Sequence, residues 1–372
     1  MKQKLVFFLG GSKFSGAEKR IFLTALYISK LGLYDVVLFI RQDLFDSIKS
    51  HDKFDGYDLN SLRIILDPAF GSTRTIKRMS IPLRYLKRLA YVLFQRPKLV
   101  HFTLYSFIDL YLARVIKLFG GKVIFEVTSP DVAVTRETQK LIENTSICDV
   151  LICVSKNVRR MCLEKSINNR ERILLREHPF VDIEKQSLNF DNKKNQVLYA
   201  HRLIHRKNPI LALDVFANLA KKHPDWQFVI CGRGDLEEKV NQVVMALGLP
   251  NLVFKGYEVN MKARLQESKI FVSLIEPDNY PSQSIIEALA SGCALLISKT
   301  GQSEEKFLSK QNVNGCAVNL DAVLIEEAIE TMILSNQLEL KCQNSISHFD
   351  DAFSLDAYLD ESISIYSKVT NK

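Results

Sequence analysis

The chain has 372 residues, enough for about two domains with buried cores. Hydrophobic residues make up 47% and charged residues 25%, with 15 Gly and 10 Pro, which excludes disorder, collagen and low complexity. The net charge of +8 is unevenly placed: residues 1–187 hold 31 Lys and Arg against 19 Asp and Glu, and the remainder 19 against 23, so the N-terminal half is suited to an anionic partner.

Met1-Lys2-Gln3-Lys4 followed by Leu5–Leu9 imitates a signal peptide, but its apolar core is too short and Lys13 follows almost at once. It reads as a first β-strand in a protein that stays in the cytoplasm. No apolar run approaches the roughly 18 residues of a membrane-spanning helix. The loop Gly10-Gly11-Ser12-Lys13-Phe14-Ser15-Gly16-Ala17-Glu18 then precedes a helix over Glu18–Leu31. Such glycines let backbone approach a phosphate, or simply make a tight turn; the spacing is not that of the dinucleotide fingerprint. A strand at Val36–Ile40 follows. From Arg74 to Lys98 there are eight basic residues and no acidic one. There, Leu83, Leu86, Leu89, Ala90 and Leu93 fall on one helical face, and Arg84, Lys87, Arg88 and Tyr91 largely on the other. A helix lying on an anionic membrane fits this pattern, as does a core-packed helix with a solvated basic face. Nucleic acid is disfavoured, since no reading motif accompanies the charge.

Strands at Leu99–Phe102, Lys122–Val127 and Val150–Val154, with a helix at Phe107–Phe119, complete a first βαβ series. The polar run 185–196 reads as a linker. A second series follows, with strands at Val197–Ala200, Trp226–Cys231, Leu252–Phe254, Ile270–Leu274 and Ala294–Ile297. Helices at Pro209–Lys222, Leu236–Leu247 and Ser284–Ala290 separate them, and Leu355–Lys368 is a last helix. The expectation is an α/β protein of two doubly wound domains: 1–187, 188–350, and a C-terminal helix in 351–372 that can pack back on the first domain. Ligands of such sheets bind outside the C-terminal strand ends, so a cleft between the domains is the default site. The seven cysteines show no C-x-x-C or zinc spacing, and neither a metal nor a disulfide framework is expected.

Candidate site residues lie at those strand ends. Arg202 and Lys207 follow the first strand of the second series, a fork-shaped and a point-charge donor suited to a diphosphate. Gly232 and Gly234 follow the next strand, and Tyr257 the one after; they could admit and stack a flat base, or be ordinary turns. Glu287 stands in an otherwise apolar helix, where a carboxylate needs a partner: the vicinal hydroxyls of a ribose, or a salt bridge to Arg202 or Lys207.

Together these motifs resemble retaining glycosyltransferase family 4, of the GT-B fold: the first loop ending Ser15-Gly16-Ala17-Glu18, the Arg202/Lys207 pair, the Gly232/Gly234 turn, the helix ending Glu287-Ala-Leu-Ala-Ser-Gly292, and Asn314-Gly315. The resemblance implies two Rossmann-like domains facing across a cleft. Gly16 would approach the donor diphosphate, Arg202 and Lys207 neutralise it, Glu287 bind the ribose, and the loop Asn279, Tyr280 and Ser282 hold the sugar. Asn279 stands where the family pattern has Glu, and Thr128 where many members have His. His101, Thr128 and Asp131 are candidates on the acceptor side. The implied activity is metal-independent transfer from a UDP- or GDP-linked sugar to a lipid-linked or oligosaccharide acceptor in bacterial cell-surface polysaccharide assembly. No cofactor is expected, and the setting is the cytoplasmic face of the membrane, held through Arg74–Lys98. A non-catalytic nucleotide-sugar-binding protein of the same fold is the alternative.

Overall fold

The computed structural model describes residues 2–11, 16–49, 57–68, 74–144, 146–166, 169–183, 188–277, 280–300 and 304–371, except for the side chains of 74–80 and 312. The chain divides into two compact units, Met1–Phe180 with Leu355–Lys372, and Val181–Ser354.

In the first unit the order is β1 (Gln3–Leu9), α1 (Gly16–Leu31), β2 (Tyr34–Arg41), α2 (Gln42–Lys49), β3 (Arg63–Asp67), α3 (Arg74–Gln95) and β4 (Leu99–Thr103). Then come α4 (Phe107–Leu118), β5 (Lys122–Val127), α5 (Pro130–Ala133), α6 (Arg136–Glu143), β6 (Val150–Cys153), α7 (Lys156–Glu164) and β7 (Ile173–Leu175). These seven strands form one sheet in the order β3-β2-β1-β4-β5-β6-β7, with every pair parallel. Its central strands are sealed on both faces, which is why β1 and β4 are almost continuously apolar.

The last helix, α15 (Leu355–Thr370), belongs to this unit and buries Tyr358, Leu359, Ile365, Tyr366 and Val369 in its core. A buried polar cluster accompanies it. The Glu126 carboxylate on β5 receives Arg20 of α1 at one oxygen, while Arg176 and His101 stand 3.8 and 3.7 Å from the other. Arg176 donates to Ser362 at 2.9 Å and lies over the Tyr358 ring; the His101 Nδ1 and the Tyr366 hydroxyl are 2.9 Å apart. Burial alone would push the Glu126 carboxyl up, but Arg20, Arg176 and His101 together outweigh it and hold it at about 2. His101 is pushed down to about 4, chiefly by burial. The acceptor-side reading of His101 is thereby corrected: the ring is sealed under α15, where no substrate reaches it.

Helix α3 inverts one expectation. Val92 and the Arg88 side chain face inward, and Leu83, Leu86, Leu93 and Phe94 face solvent, Phe94 at 84% exposure. The reason is long-range pairing. Arg88 bonds Asp67 at the end of β3 at 2.5 Å and Asp109 at the start of α4 at 2.9 Å, with the Phe8 ring beneath it. Lys87 reaches the Leu66 carbonyl. A buried guanidinium between two carboxylates outweighs burial of three leucines, because an unpaired buried carboxylate is far more costly than an exposed methyl group. The alternative of a core-packed apolar stripe with a solvated basic face is thus incorrect, and Arg88 is not free for headgroups. Arg74, Lys77 and Arg78 lie among the side chains not described.

The second unit contains β8 (Lys194–Ala200), α8 (Pro209–Lys222), β9 (Gln227–Cys231), α9 (Glu237–Leu247), β10 (Leu252–Gly256), α10 (Met261–Glu267) and β11 (Ser268–Ser273). It continues with α11 (Gln283–Ala290), β12 (Ala294–Ser298), α12 (Glu304–Phe307), β13 (Gly315–Val318), α13 (Ala322–Ile333) and α14 (Leu338–Ala352). The sheet runs β10-β9-β8-β11-β12-β13, again all parallel, with apolar clusters on both faces. The described end of the run read as a linker, 188–196, is part of this unit. There Lys193 is buried, and its ammonium donates to the carbonyls of Leu265, Gln266, Ser268 and Ser291 at 2.8–3.4 Å, closing the C-terminal ends of α10 and α11. No helix among the described residues is long and apolar enough to cross a membrane.

Candidate functional site

In the second unit the strand order reverses between β8 and β11, so their chains leave the sheet in opposite directions and open a crevice at their C-terminal ends. Of the residues singled out in the sequence, Arg202, Lys207, Gly232, Gly234, Tyr257, Ser282 and Glu287 follow strands of this sheet. Beyond β8, Arg202 is exposed, and a short turn over His205–Lys207 places Lys207 half-buried. That turn is held by main-chain anchors. The buried Tyr199 hydroxyl donates to the Lys207 carbonyl at 2.7 Å, Asn208 donates to Leu274 beyond β11 at 2.8 Å, and the Glu276 amide donates to the Arg206 carbonyl at 3.0 Å. Asn208 itself takes a left-handed φ of 53° before Pro209 opens α8.

The electrostatics of the turn are one-sided. Burial, with the Arg206 and Arg202 charges beside it, pushes the Lys207 ammonium down to about 7. No carboxylate offsets it: among the described residues Arg202, Lys207 and Glu287 make no ion pair. The salt-bridge alternative for Glu287 is therefore not what forms. Glu287 is half-buried in the second turn of α11, flanked by the buried Ile286 and Ala288, and among the described residues its carboxylate has no protein partner. Among the described residues, the cations Arg202, Arg206 and Lys207 beside this switch point have no carboxylate partner, an arrangement suited to an anionic ligand.

The two glycines after β9 are demanded by packing. A side chain at Gly232, φ 143°, would meet the His201 carbonyl at 1.8 Å, and one at Gly234 the Leu203 carbonyl at 2.4 Å. Glycine is required there because the loop after β9 packs directly on the loop carrying Arg202, sealed by Leu203 N–H to the Arg233 carbonyl at 2.8 Å. Tyr257 is half-exposed, with the Arg233 guanidinium 5.2 Å from its ring centre. Ser282 is buried at the N-cap of α11, its hydroxyl 3.1 Å from that of Ser284. Tyr280 is half-buried and packs on Phe307, 5.5 Å between ring centres. Asn279 and its neighbour Asp278 lie outside the described residues.

In the first unit, Gly10 and Gly11 are likewise demanded by packing, against the Leu104 carbonyl and the Glu18 carboxylate, whereas Gly16 opens α1 with nothing within 4 Å of where a side chain would go. Residues 12–15 of that loop lie outside the described residues. Thr128 is half-buried just past β5 and Asp131 exposed in the first turn of α5. Sequence reasoning missed His201, Tyr199 and Asn208 as supports of the site. The Asn208-Pro209 pair was a legible signal of a turn before a helix start; nothing local marked His201.

Comparison with known proteins bears on the fold and on the second unit. Residues 180–348 match the family model of glycosyl transferases group 1. A curated relative from Campylobacter jejuni, GalNAc-alpha-(1->4)-GalNAc-alpha-(1->3)-diNAcBac-PP-undecaprenol alpha-1,4-N-acetyl-D-galactosaminyltransferase, is 26% identical over 207 residues, 54% of this chain and 56% of the relative. The chain thus spans about half the length of that relative. Among solved structures, a glycosyltransferase from Rickettsia africae matches with a TM-score of 0.75 at 15% identity, covering 99% of this chain and 98% of its own. A pneumococcal O-GlcNAc transferase in complex with UDP and GlcNAc also has a TM-score of 0.75, at 12% identity and covering 100% of both chains. Residues 180–348 therefore carry a glycosyl transferases group 1 domain, in a chain with the two-domain fold of GT-B glycosyltransferases.

Proposed function

We propose that the protein is a retaining glycosyltransferase of the family 4 type, moving a sugar from a UDP- or GDP-linked donor to a hydroxyl of a lipid-linked glycan. The observation that carries this is the half-buried Lys207, flanked by two guanidinium groups with no carboxylate paired to them among the described residues. A donor diphosphate supplies the missing charge, and the negative charge it gains as the sugar leaves strengthens the same interactions. The sugar's anomeric C–O bond to the diphosphate breaks, the acceptor oxygen bonds that carbon on the same face, and the acceptor proton passes to a diphosphate oxygen. The chain's own work is to position the reactants and neutralise the leaving group, which Arg202 and Lys207 do without a metal. Glu287 accepts from the ribose hydroxyls, a role supported by its lack of a partner among the described residues. Tyr257 stacks on the base, and the Asn279–Ser282 loop holds the sugar.

The lipid-linked acceptor draws support from the name of the Campylobacter relative, which acts on an undecaprenol-linked glycan. It draws support also from α3, whose outward Leu83, Leu86, Leu93 and Phe94 form an apolar stripe that a membrane surface would cover. In this reading the protein binds peripherally to the cytoplasmic face of the membrane during cell-surface polysaccharide assembly.

Steady-state kinetics with UDP- and GDP-sugars test the assignment. Lys207→Ala mainly lowers kcat, and Glu287→Ala weakens donor binding by about 1.5–3 kcal/mol, as for loss of a hydrogen bond to a charged group. Near-normal kcat and KM in both variants removes the assignment; nucleotide binding without turnover leaves a nucleotide-sugar-binding protein instead.

A further inference from the structure

We infer that His201 is a positioning residue, whose imidazole ties the helix bearing Glu287 to the loop bearing Arg202 and Lys207. This rests on the functional reading above and names a support of that site which neither composition nor the family match assigns.

His201 follows the last residue of β8 and directly precedes Arg202. Its Nδ1 lies 3.1 Å from the Ser284 hydroxyl, which lies 3.1 Å from that of Ser282. Ser284 is the second residue of α11 and stands three before Glu287, so one helical turn separates the bonded hydroxyl from the carboxylate. The backbone is equally constrained: the His201 amide donates to Cys231 at 3.2 Å, and its carbonyl sits where a side chain on Gly232 would be. The ring is wedged edge-on between Tyr199 and Phe271, with centres 5.0 and 5.5 Å away. The imidazole is thus held by ring packing and one hydrogen bond, and through them the Arg202 loop is joined to α11.

A purely space-filling role fits poorly. An apolar side chain would fill the slot between two aromatic rings without stranding a polar atom, whereas His201 Nε2 is buried with no hydrogen-bond partner among the described residues. The bond to Ser284 is what a histidine adds. Burial and the nearby Lys207 charge hold the ring well below its ordinary pKa, hence neutral, and a hydroxyl partner suits either neutral tautomer because it both donates and accepts.

The test compares the wild type with His201→Leu, Ser284→Ala, the double variant and His201→Asn, whose amide reaches about where Nδ1 lies. Calorimetry measures binding of UDP and GDP, kinetics measure donor KM and kcat, and Trp226 fluorescence reports folding of the second unit. Loss of one such bond should raise Kd and donor KM by roughly three- to tenfold in His201→Leu and in Ser284→Ala, with no further loss in the double variant. His201→Asn should restore affinity to within about twofold, an outcome that simple loss of packing does not produce. Wild-type affinity in Ser284→Ala overturns the inference, as does His201→Asn binding no better than His201→Leu. Should His201→Leu fail to fold, Ser284→Ala and His201→Asn decide the matter alone. A wild type that binds neither UDP nor GDP removes the functional reading itself; a wild type that binds, with all variants unchanged, removes only this inference.

Discussion

Replacing Lys207 by Met should stabilise the second unit while abolishing its function. In the folded chain this ammonium titrates at about 7 instead of 10.5, because burial and the Arg206 and Arg202 charges disfavour the proton. At about 1.4 kcal/mol per tenfold change in proton affinity, holding the lysine there costs of order 4 kcal/mol at pH 7. Between 7 and 10.5 the unfolded chain binds more protons than the folded one, so wild-type stability rises with pH across that window and the advantage of Met shrinks, to about half by pH 9. Met keeps the apolar stem and drops the charge. Urea denaturation of the ligand-free protein measures this cleanly, since the chain's single tryptophan, Trp226, is buried in the core of the second unit. A variant no more stable than wild type at pH 7, or one whose advantage does not decline with pH, refutes the account of an uncompensated cationic site.

A second buried lysine gives the opposite sign: Lys193→Met leaves four carbonyls at two helix ends without their donor and should destabilise the Trp226 transition by about 2–4 kcal/mol. In the first unit, Glu126→Gln leaves Arg20 buried without its counter-charge and Arg176 with only Glu361, 3.9 Å away, and should cost about 3–5 kcal/mol, read by calorimetry as a lowered transition that does not involve Trp226. The same cluster sets an acid limb. His101 is depressed from 6.5 to about 4 and Glu126 from 4.5 to about 2, so stability is full above 6.5 and is lost as pH falls through those windows; His101→Gln should flatten the loss between 6.5 and 4. On α3, Leu86→Asp with Phe94→Asp should abolish flotation with anionic vesicles while leaving the fold intact, because both side chains point to solvent; retention of the double variant on vesicles contradicts docking through this stripe.

Much of the architecture was legible because strands sealed on both faces must be apolar throughout. Thus β1, β4, β5, β8 and β11 stand out as short unbroken runs. The strands that escaped reading, β3, β7 and β13, are all at sheet edges, and two of them have only three or four residues, too few for a periodic signal. The nucleotide-side candidates were legible for a related reason. Arg202, Lys207, Gly232 and Glu287 follow strands or loops whose C-terminal ends fall on one edge of a parallel sheet. What sequence could not supply was partner identity across long separations. Arg88 reads as one of many surface cations until Asp67 and Asp109 are seen on either side of it. His101 reads as a strand-end ligand until Tyr366, 265 residues away, is seen bonded to it. Lys193 sits in a run as polar as any linker, and only the folded chain brings four carbonyls to its ammonium.

The cationic turn after β8 is tested most directly by titrating the protein with UDP and with GDP, at about pH 8, in two buffers of different ionisation enthalpy. Lys207 is then largely neutral in the free protein and is driven to its charged form by a bound diphosphate, so binding of one nucleotide should be accompanied by uptake of a proton that disappears in Lys207→Met. Absence of binding by both nucleotides, or binding with no proton taken up, would contradict the account.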